Sequence, residues 1–155
     1  MTRRLRNLVA VVLVMATSPV LAHGDDPHSA NDESFGRPGD PAKVSRTIVV
    51  DMTDAMRFVP ANVVVKNGET VRFSVKNSGR LRHEMVLGTG KELRQHAELM
   101  KKFPQMQHQD PKHVSLDAGA SGDLVWQFTK TGTFDFACLQ PGHLDAGMRG
   151  KIVVK

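Results

Sequence analysis

Apolar and polar residues alternate strictly in several short runs of this 155-residue chain. In one run, Val71, Phe73 and Val75 alternate with Arg72 and Ser74. Successive side chains of a β-strand point to opposite faces, so this pattern predicts a strand with one buried face. The runs are short and are separated by turn signals such as KNGE and KNSG. The alternation therefore favours an all-β domain made of two packed sheets.

One segment departs from this pattern and predicts a helix. Thr89 and Glu92 have the spacing of a capping box, and Leu93, Ala97 and Met100 then fall on one helical face. Alternating or β-branched runs lie on both sides of it, among them RTIVVDMT, LRHEMVLG, HVSLDAG, GDLVWQF and RGKIVVK. We therefore predict an antiparallel Greek-key β-sandwich with one inserted helix.

The N-terminus has the pattern of a secretory signal peptide. Three arginines within the first six residues precede the nine-residue apolar run LVAVVLVMA, and small or apolar residues follow up to Ala22. This run is too short to span a bilayer, so we predict cleavage after Ala22 and export to the periplasm. An uncleaved anchor is the alternative, and the choice between the Sec and twin-arginine routes stays open.

The rest of the chain divides in two by composition. Residues 23–42 are rich in Pro, Gly, Asp and Ser and predict a flexible acidic arm, and residues 43–155 predict one domain. Removing the three arginines of the signal peptide leaves 18 of the 21 basic residues against 16 acidic ones, a net charge of +2. A charge this small gives no reason to expect a nucleic-acid partner.

Cys138 is the single cysteine of the chain. In an exported protein it cannot form an internal disulfide, so it is an intermolecular partner, a free thiol or a metal ligand. By strand alternation Cys138 shares a face with Phe134 and Phe136, and His83 shares one with Met85. Both side chains are therefore predicted to point into the core, where a shared metal ion would satisfy them.

The loop after Cys138 supplies two further candidate ligands. Four residues separate Cys138 from His143, and four more separate His143 from Met148. The intervening LQPG and LDAG contain one proline and two glycines, enough for the chain to turn back on itself. With His83 this makes two imidazoles, one thiolate and one thioether, the donor set of electron-transfer copper sites. We therefore predict a copper site at His83, Cys138, His143 and Met148.

These motifs resemble the cupredoxins, the family of type 1 copper proteins. RHEMV is similar to the first ligand strand of that family and FACLQPGHLDAGMRGKIVV to its ligand loop and last strand, with loop lengths like those of rusticyanin and auracyanin. HEMVLGT and VWQFTKTGTFDFACLQPGH look most like small periplasmic cupredoxins of bacterial copper tolerance. The resemblance implies one type 1 copper per chain. Glu84 departs from many members, and by alternation it is predicted to point away from the core.

Two roles follow for such a protein: copper tolerance, electron transfer by Cu(II)/Cu(I) cycling, or both. A pure respiratory electron carrier is one alternative, and a copper storage or delivery protein with a second, weaker site at Met106, His108 and His113 is another. An enzyme is disfavoured because the chain has no His-x-His pair for further copper. The expected partners are transient redox or copper-handling proteins, and the protein is expected to be a monomer without a membrane span after cleavage.

Overall fold

A computed structural model describes residues 34–103 and 110–155, and within them the chain forms two five-stranded sheets. The strands of the first sheet are β1 (Gly36–Pro38), β2 (Arg46–Thr53), β3 (Arg57–Val59), β5 (Thr70–Asn77) and β8 (Ser121–Phe128). Those of the second sheet are β4 (Asn62–Val65), β6 (His83–Gly88), β7 (His113–Leu116), β9 (Gly132–Ala137) and β10 (Arg149–Val154). Their spatial orders are β1-β8-β5-β2-β3 and β4-β10-β9-β6-β7.

The predicted β-sandwich is confirmed, with one change to the pairing. Most neighbouring strands are antiparallel, but β2 pairs with β5 and β4 pairs with β10 in parallel. The consecutive strands β4 and β5 lie in different sheets, so the chain crosses between the sheets instead of forming a hairpin there. The members of these two parallel pairs are distant in sequence, so antiparallel hairpin geometry is not imposed on them.

The core lies between the two sheets, where alternation placed it. Val71, Phe73 and Val75 are at most 1% exposed, whereas Arg72 and Ser74 on the other face of β5 are partly exposed. Across the sandwich, the ring of Phe58 meets that of Phe136 edge to face with centroids 4.9 Å apart. Such aromatic pairs add about 0.5–1.5 kcal/mol beyond the burial of their surface.

Residues before position 43, the predicted start of the domain, also pack onto the first sheet. Strand β1 pairs with β8, and Phe35 is fully buried with its ring stacked 5.2 Å from that of Trp126. A three-residue strand is too short to show alternation, and the prolines and glycines around it are typical of loops. The rest of the predicted arm, residues 23–33, and the predicted signal peptide lie outside the described residues.

The inserted helix is confirmed as α1 (Gly90–Lys102). The Thr89 side chain accepts from the backbone of Glu92, and the Glu92 side chain accepts from the backbone of Thr89, which completes the capping box. Its apolar face packs on the outer face of the second sheet, in a cluster of Leu93, Ala97, Met100, Val86, Ala137 and Leu139. The helix thus covers β6 and β9, the strands that lead to the predicted ligands. Among the described residues, no helix is long and apolar enough to cross a membrane.

Candidate metal centre

Three of the four predicted ligands meet at one end of the sandwich. His83 begins β6, Cys138 follows directly after β9, and His143 lies in the loop between β9 and β10. The Nδ1 atoms of His83 and His143 lie 3.2 Å apart, and Sγ of Cys138 lies 3.2 Å from Nδ1 of His143. The ligand atoms of all three residues are within 4.8 Å of one another.

The imidazole of His83 is oriented by a carboxylate that the sequence did not reveal. Oδ1 of Asp54, in the turn between β2 and β3, lies 3.0 Å from Nε2 of His83. The same carboxylate accepts from the backbone N–H groups of Arg80 and Leu81, at 2.8 and 3.2 Å. The Arg80 hydrogen bond, followed by that of His83, lowers the pKa of Asp54. An ionised Asp54 accepts the Nε2 proton, which leaves the Nδ1 lone pair directed at the site.

The Cys138 side chain is fully buried and faces backbone donors. The backbone N–H groups of Glu84 and Gln140 hydrogen-bond towards its sulfur, which favours the thiolate. Burial acts more strongly in the opposite direction and raises the pKa of the Cys138 thiol to about 12. Without a cation nearby the group is therefore a neutral thiol at physiological pH.

The ligand loop is held closed by its own backbone hydrogen bonds. The backbone N–H of Met148 donates to the His143 carbonyl at 3.0 Å, and that of Cys138 donates to the Met148 carbonyl at 3.1 Å. Gly142 and Gly147 have φ of +84° and +92°, values that side chains with a Cβ rarely adopt. Met148 thereby returns next to Cys138, and its side chain is fully buried in the same core cluster.

The chemistry of this donor set fits copper. Soft sulfur donors suit Cu(I), and imidazole nitrogens suit both copper oxidation states. Burial, and then the nearby His83, lower the pKa of His143, so its imidazole is neutral at physiological pH. Nδ1 of His143 lies 3.2 Å from both Nδ1 of His83 and Sγ of Cys138. With the His83 proton on Nε2, hydrogen bonds among these three atoms can use only the protons of His143 and of the thiol. A cation at their centre would satisfy all three.

We expect Cu(I) binding at pH 8 to release about one proton per chain, because a metal-bound thiol is deprotonated. The thiol of Cys138 keeps its proton at this pH, since its pKa is about 12. Isothermal titration calorimetry in two buffers of different ionisation enthalpy measures the released protons. Cys138→Ala is the control and should release none by this route. Binding by the unaltered protein without proton release would show that the thiol is not a ligand.

Glu84 lies on the outer face of β6, as alternation predicted. It points away from the main core, but it is only 3% exposed. Oε1 accepts from the backbone N–H of Leu139 at 3.0 Å, and Oε2 lies 3.2 Å from Nε2 of Gln140 and 3.1 Å from Nε2 of His113. Alternation correctly placed Glu84 on the outer face of β6, but it did not show that the ligand loop and β7 cover that face.

The second copper site stays a prediction. Met106 and His108 lie outside the described residues. His113 lies at the start of β7, and its Nε2 contacts the Glu84 carboxylate instead of pointing to solvent. Within 34–103 and 110–155, the cluster of His, Cys, Asp or Glu side chains close enough to hold a metal ion consists of His83, Cys138 and His143.

Comparison with known proteins agrees with this geometry. The family model for copper binding proteins of the plastocyanin/azurin family matches residues 44–155. The chain is 51% identical to the copper-resistant cuproprotein CopI of Rubrivivax gelatinosus over 96% of this chain and 94% of that protein. It is 36% identical to the CopI of Pseudomonas aeruginosa, over 81% of this chain and 85% of that protein.

Solved structures share the fold. The auracyanin of Roseiflexus castenholzii superposes with a TM-score of 0.61 at 20% identity, covering 72% of this chain and 98% of that one. Auracyanin A of Chloroflexus aurantiacus gives a TM-score of 0.59 at 19% identity, covering 70% and 98%. At these identities the likeness shows the fold alone, whereas the family model and the CopI relatives cover the site as well. The chain belongs to the plastocyanin/azurin family of copper-binding proteins, the cupredoxins, and is close to CopI.

Proposed function

We propose that this chain is an exported protein that holds one copper ion with His83, Cys138, His143 and Met148 and acts in copper tolerance in the periplasm. The observation that carries the proposal is the convergence of two Nδ1 atoms and one buried sulfur within 4.8 Å. Met148 is included because its fully buried side chain belongs to the same core cluster as Cys138. The N-terminal arginines and the apolar run after them support export.

The protein's own residues fix the site before metal arrives. Asp54 sets the tautomer of His83, and the backbone N–H groups of Glu84 and Gln140 are donors to the Cys138 sulfur that favour its thiolate form once a cation binds. The loop hydrogen bonds of Cys138, His143 and Met148 hold the remaining groups in place. When bound, copper supplies one-electron chemistry between Cu(II) and Cu(I). A prearranged donor set changes little between these two states, which suits both rapid electron exchange and tight retention of the metal.

Copper tolerance is the role that the relatives favour. The proteins that are 51% and 36% identical to this chain are both described as copper-resistant cuproproteins. The second candidate is a respiratory electron carrier without a role in tolerance. The partial exposure of His143 favours it, because one ligand ring then lies near the surface where a redox partner docks transiently.

Growth of a deletion strain across copper concentrations separates the two roles. We expect the deletion to sensitise cells to copper, and we expect the wild-type gene, but not Cys138→Ala, to restore growth. Unchanged copper sensitivity together with a slower respiratory rate would support the electron carrier instead. Full rescue by Cys138→Ala would show that the thiolate site is not needed for tolerance. Fractionation of the same strains tests the periplasmic location.

A further inference from the structure

Glu84 is a buried carboxylate beside the thiol ligand, and the function proposed above does not use its charge. Its side chain is 4% exposed. It contacts three elements of the fold: the ligand loop through Leu139 and Gln140, β7 through His113, and its own strand β6. Burying a charge is costly unless it is paired and hydrogen-bonded, so a carboxylate at this position needs compensating partners.

The hydrogen-bond partners of Glu84 match an ionised carboxylate. Oε1 accepts from a backbone N–H, which can only donate, and Oε2 faces the amide nitrogen of Gln140, which also only donates. Nε2 of His113 lies 3.1 Å from the same Oε2 and donates when it carries its proton. The two fixed donors, joined by His113 when its Nε2 is protonated, compensate the burial of one negative charge.

The hydrogen bond from Leu139 to the Glu84 side chain continues the contact between β6 and β9 beyond the last paired residues of the two strands. The pairing of β6 with β9 extends to Val86 opposite Ala137, and Cys138 is the first residue beyond β9. The next backbone N–H, that of Leu139, donates to the Glu84 carboxylate at 3.0 Å. The backbone N–H of Glu84 meanwhile hydrogen-bonds towards the Cys138 sulfur. Glu84 therefore acts on the Cys138 thiol through its backbone N–H and holds the Leu139 backbone through its side chain.

We propose that Glu84 is a positioning residue that holds the Cys138–Gln140 segment against β6, and that its negative charge lowers the reduction potential of the copper site. The inference rests on the proposed copper site at His83, Cys138, His143 and Met148. Reduction adds an electron to that site, and a buried negative charge close by disfavours the added charge because the interior screens it weakly.

Glu84→Gln separates charge from shape. Glutamine keeps the size of the side chain and an oxygen that accepts from Leu139, but it is neutral. We expect it to change the ratio of Cu(I) to Cu(II) affinities by about tenfold in favour of Cu(I), which corresponds to a potential raised by about 59 mV for a one-electron couple. Asp123→Asn is the matched control, since it removes an exposed carboxylate on β8 of the other sheet. It should leave the potential unchanged.

Hydrogen exchange of the Leu139 amide tests the positioning role in the metal-free protein. Glu84→Ala removes the acceptor, so this amide should exchange at least about tenfold faster than in the unaltered protein, as expected for about 1.4 kcal/mol of lost protection. In Glu84→Gln the amide should stay protected. If Glu84→Ala does not fold, the exchange and the potential of Glu84→Gln still test the inference, because that variant is nearly isosteric.

The possible failures are distinguishable. A potential of Glu84→Gln equal to that of the unaltered protein would overturn the effect of charge, and unchanged Leu139 exchange in Glu84→Ala would overturn the positioning role. If instead the unaltered protein bound no copper with a thiolate-to-copper absorption band, the proposed function would fail. The exchange measurement on metal-free protein would still decide whether Glu84 holds the segment.

Discussion

Cys138→Ala is expected to remove the intense visible absorption of the Cu(II) protein and to weaken copper binding more than about 100-fold. Losing a residue that only supports a ligand already costs 10–100-fold in metal affinity, and Cys138 is proposed to supply the strong thiolate bond itself. The substitution leaves only a small void, since the cysteine side chain is small and fully buried, so the fold should survive. Absorption spectra of the reconstituted protein and competition with a Cu(I) chelator measure both effects.

Met100→Leu is the matched control for this substitution. It removes a buried sulfur from the helix cluster, which is separate from the cluster that contains Cys138, and it nearly conserves volume. The control should keep the absorption band and the copper affinity, with a stability change below about 1.5 kcal/mol. Survival of the band in Cys138→Ala would contradict the proposed ligand set.

Alternation predicted the burial of two proposed ligands, His83 at the start of β6 and Cys138 directly after β9. The period of two in a strand is rigid, so a residue that shares a face with Met85 or Phe136 points to the core wherever the sheet lies. His83 and Cys138 are accordingly both fully buried. The return of the loop was predictable for a different reason: Gly142 and Gly147 allow the positive φ values that bring the proposed ligands His143 and Met148 back to Cys138.

The supporting carboxylates could not be predicted in this way. Asp54 lies 29 positions before His83, and Glu84 lies 55 positions before Leu139, so each contact depends on how distant segments pack. Alternation states which face of a strand a side chain occupies, but not whether another element covers that face. The buried environment of Glu84 was missed for this reason, whereas β1, next to Phe35, is too short to show alternation at all.

Gly150→Ala is expected to be the most destabilising single-methyl change near the ligand loop. Gly150 pairs with Phe136 in the antiparallel ladder of β9 and β10, two residues after Met148. A Cβ at this position would overlap the ring of Phe136 and lie 2.6 Å from the carbonyl oxygen of Ala61. That ring is fully buried against Phe58, so it has no free space to move into. We expect a loss of unfolding free energy of about 3 kcal/mol or more, measured by denaturant titration.

The steric origin of this effect is testable with a second substitution. Phe136→Leu shortens the ring that Gly150→Ala would meet, so the double variant should lose less free energy than the sum of the two single variants, by about 0.5–3 kcal/mol. Gly119→Ala is the control for backbone strain: its φ is +75°, but no atom lies within 4 Å of the added methyl. Gly119→Ala should lower the free energy of unfolding by only about 1–2 kcal/mol. Equal losses for Gly119→Ala and Gly150→Ala, or additivity with Phe136→Leu, would show that the close approach of β10 to this ring does not require glycine. A measured coupling energy between Gly150→Ala and Phe136→Leu would show that the glycine allows β10 to pack directly on the Phe136 ring. This packing places the start of β10 beside β9 and so keeps the ligand loop closed over Cys138.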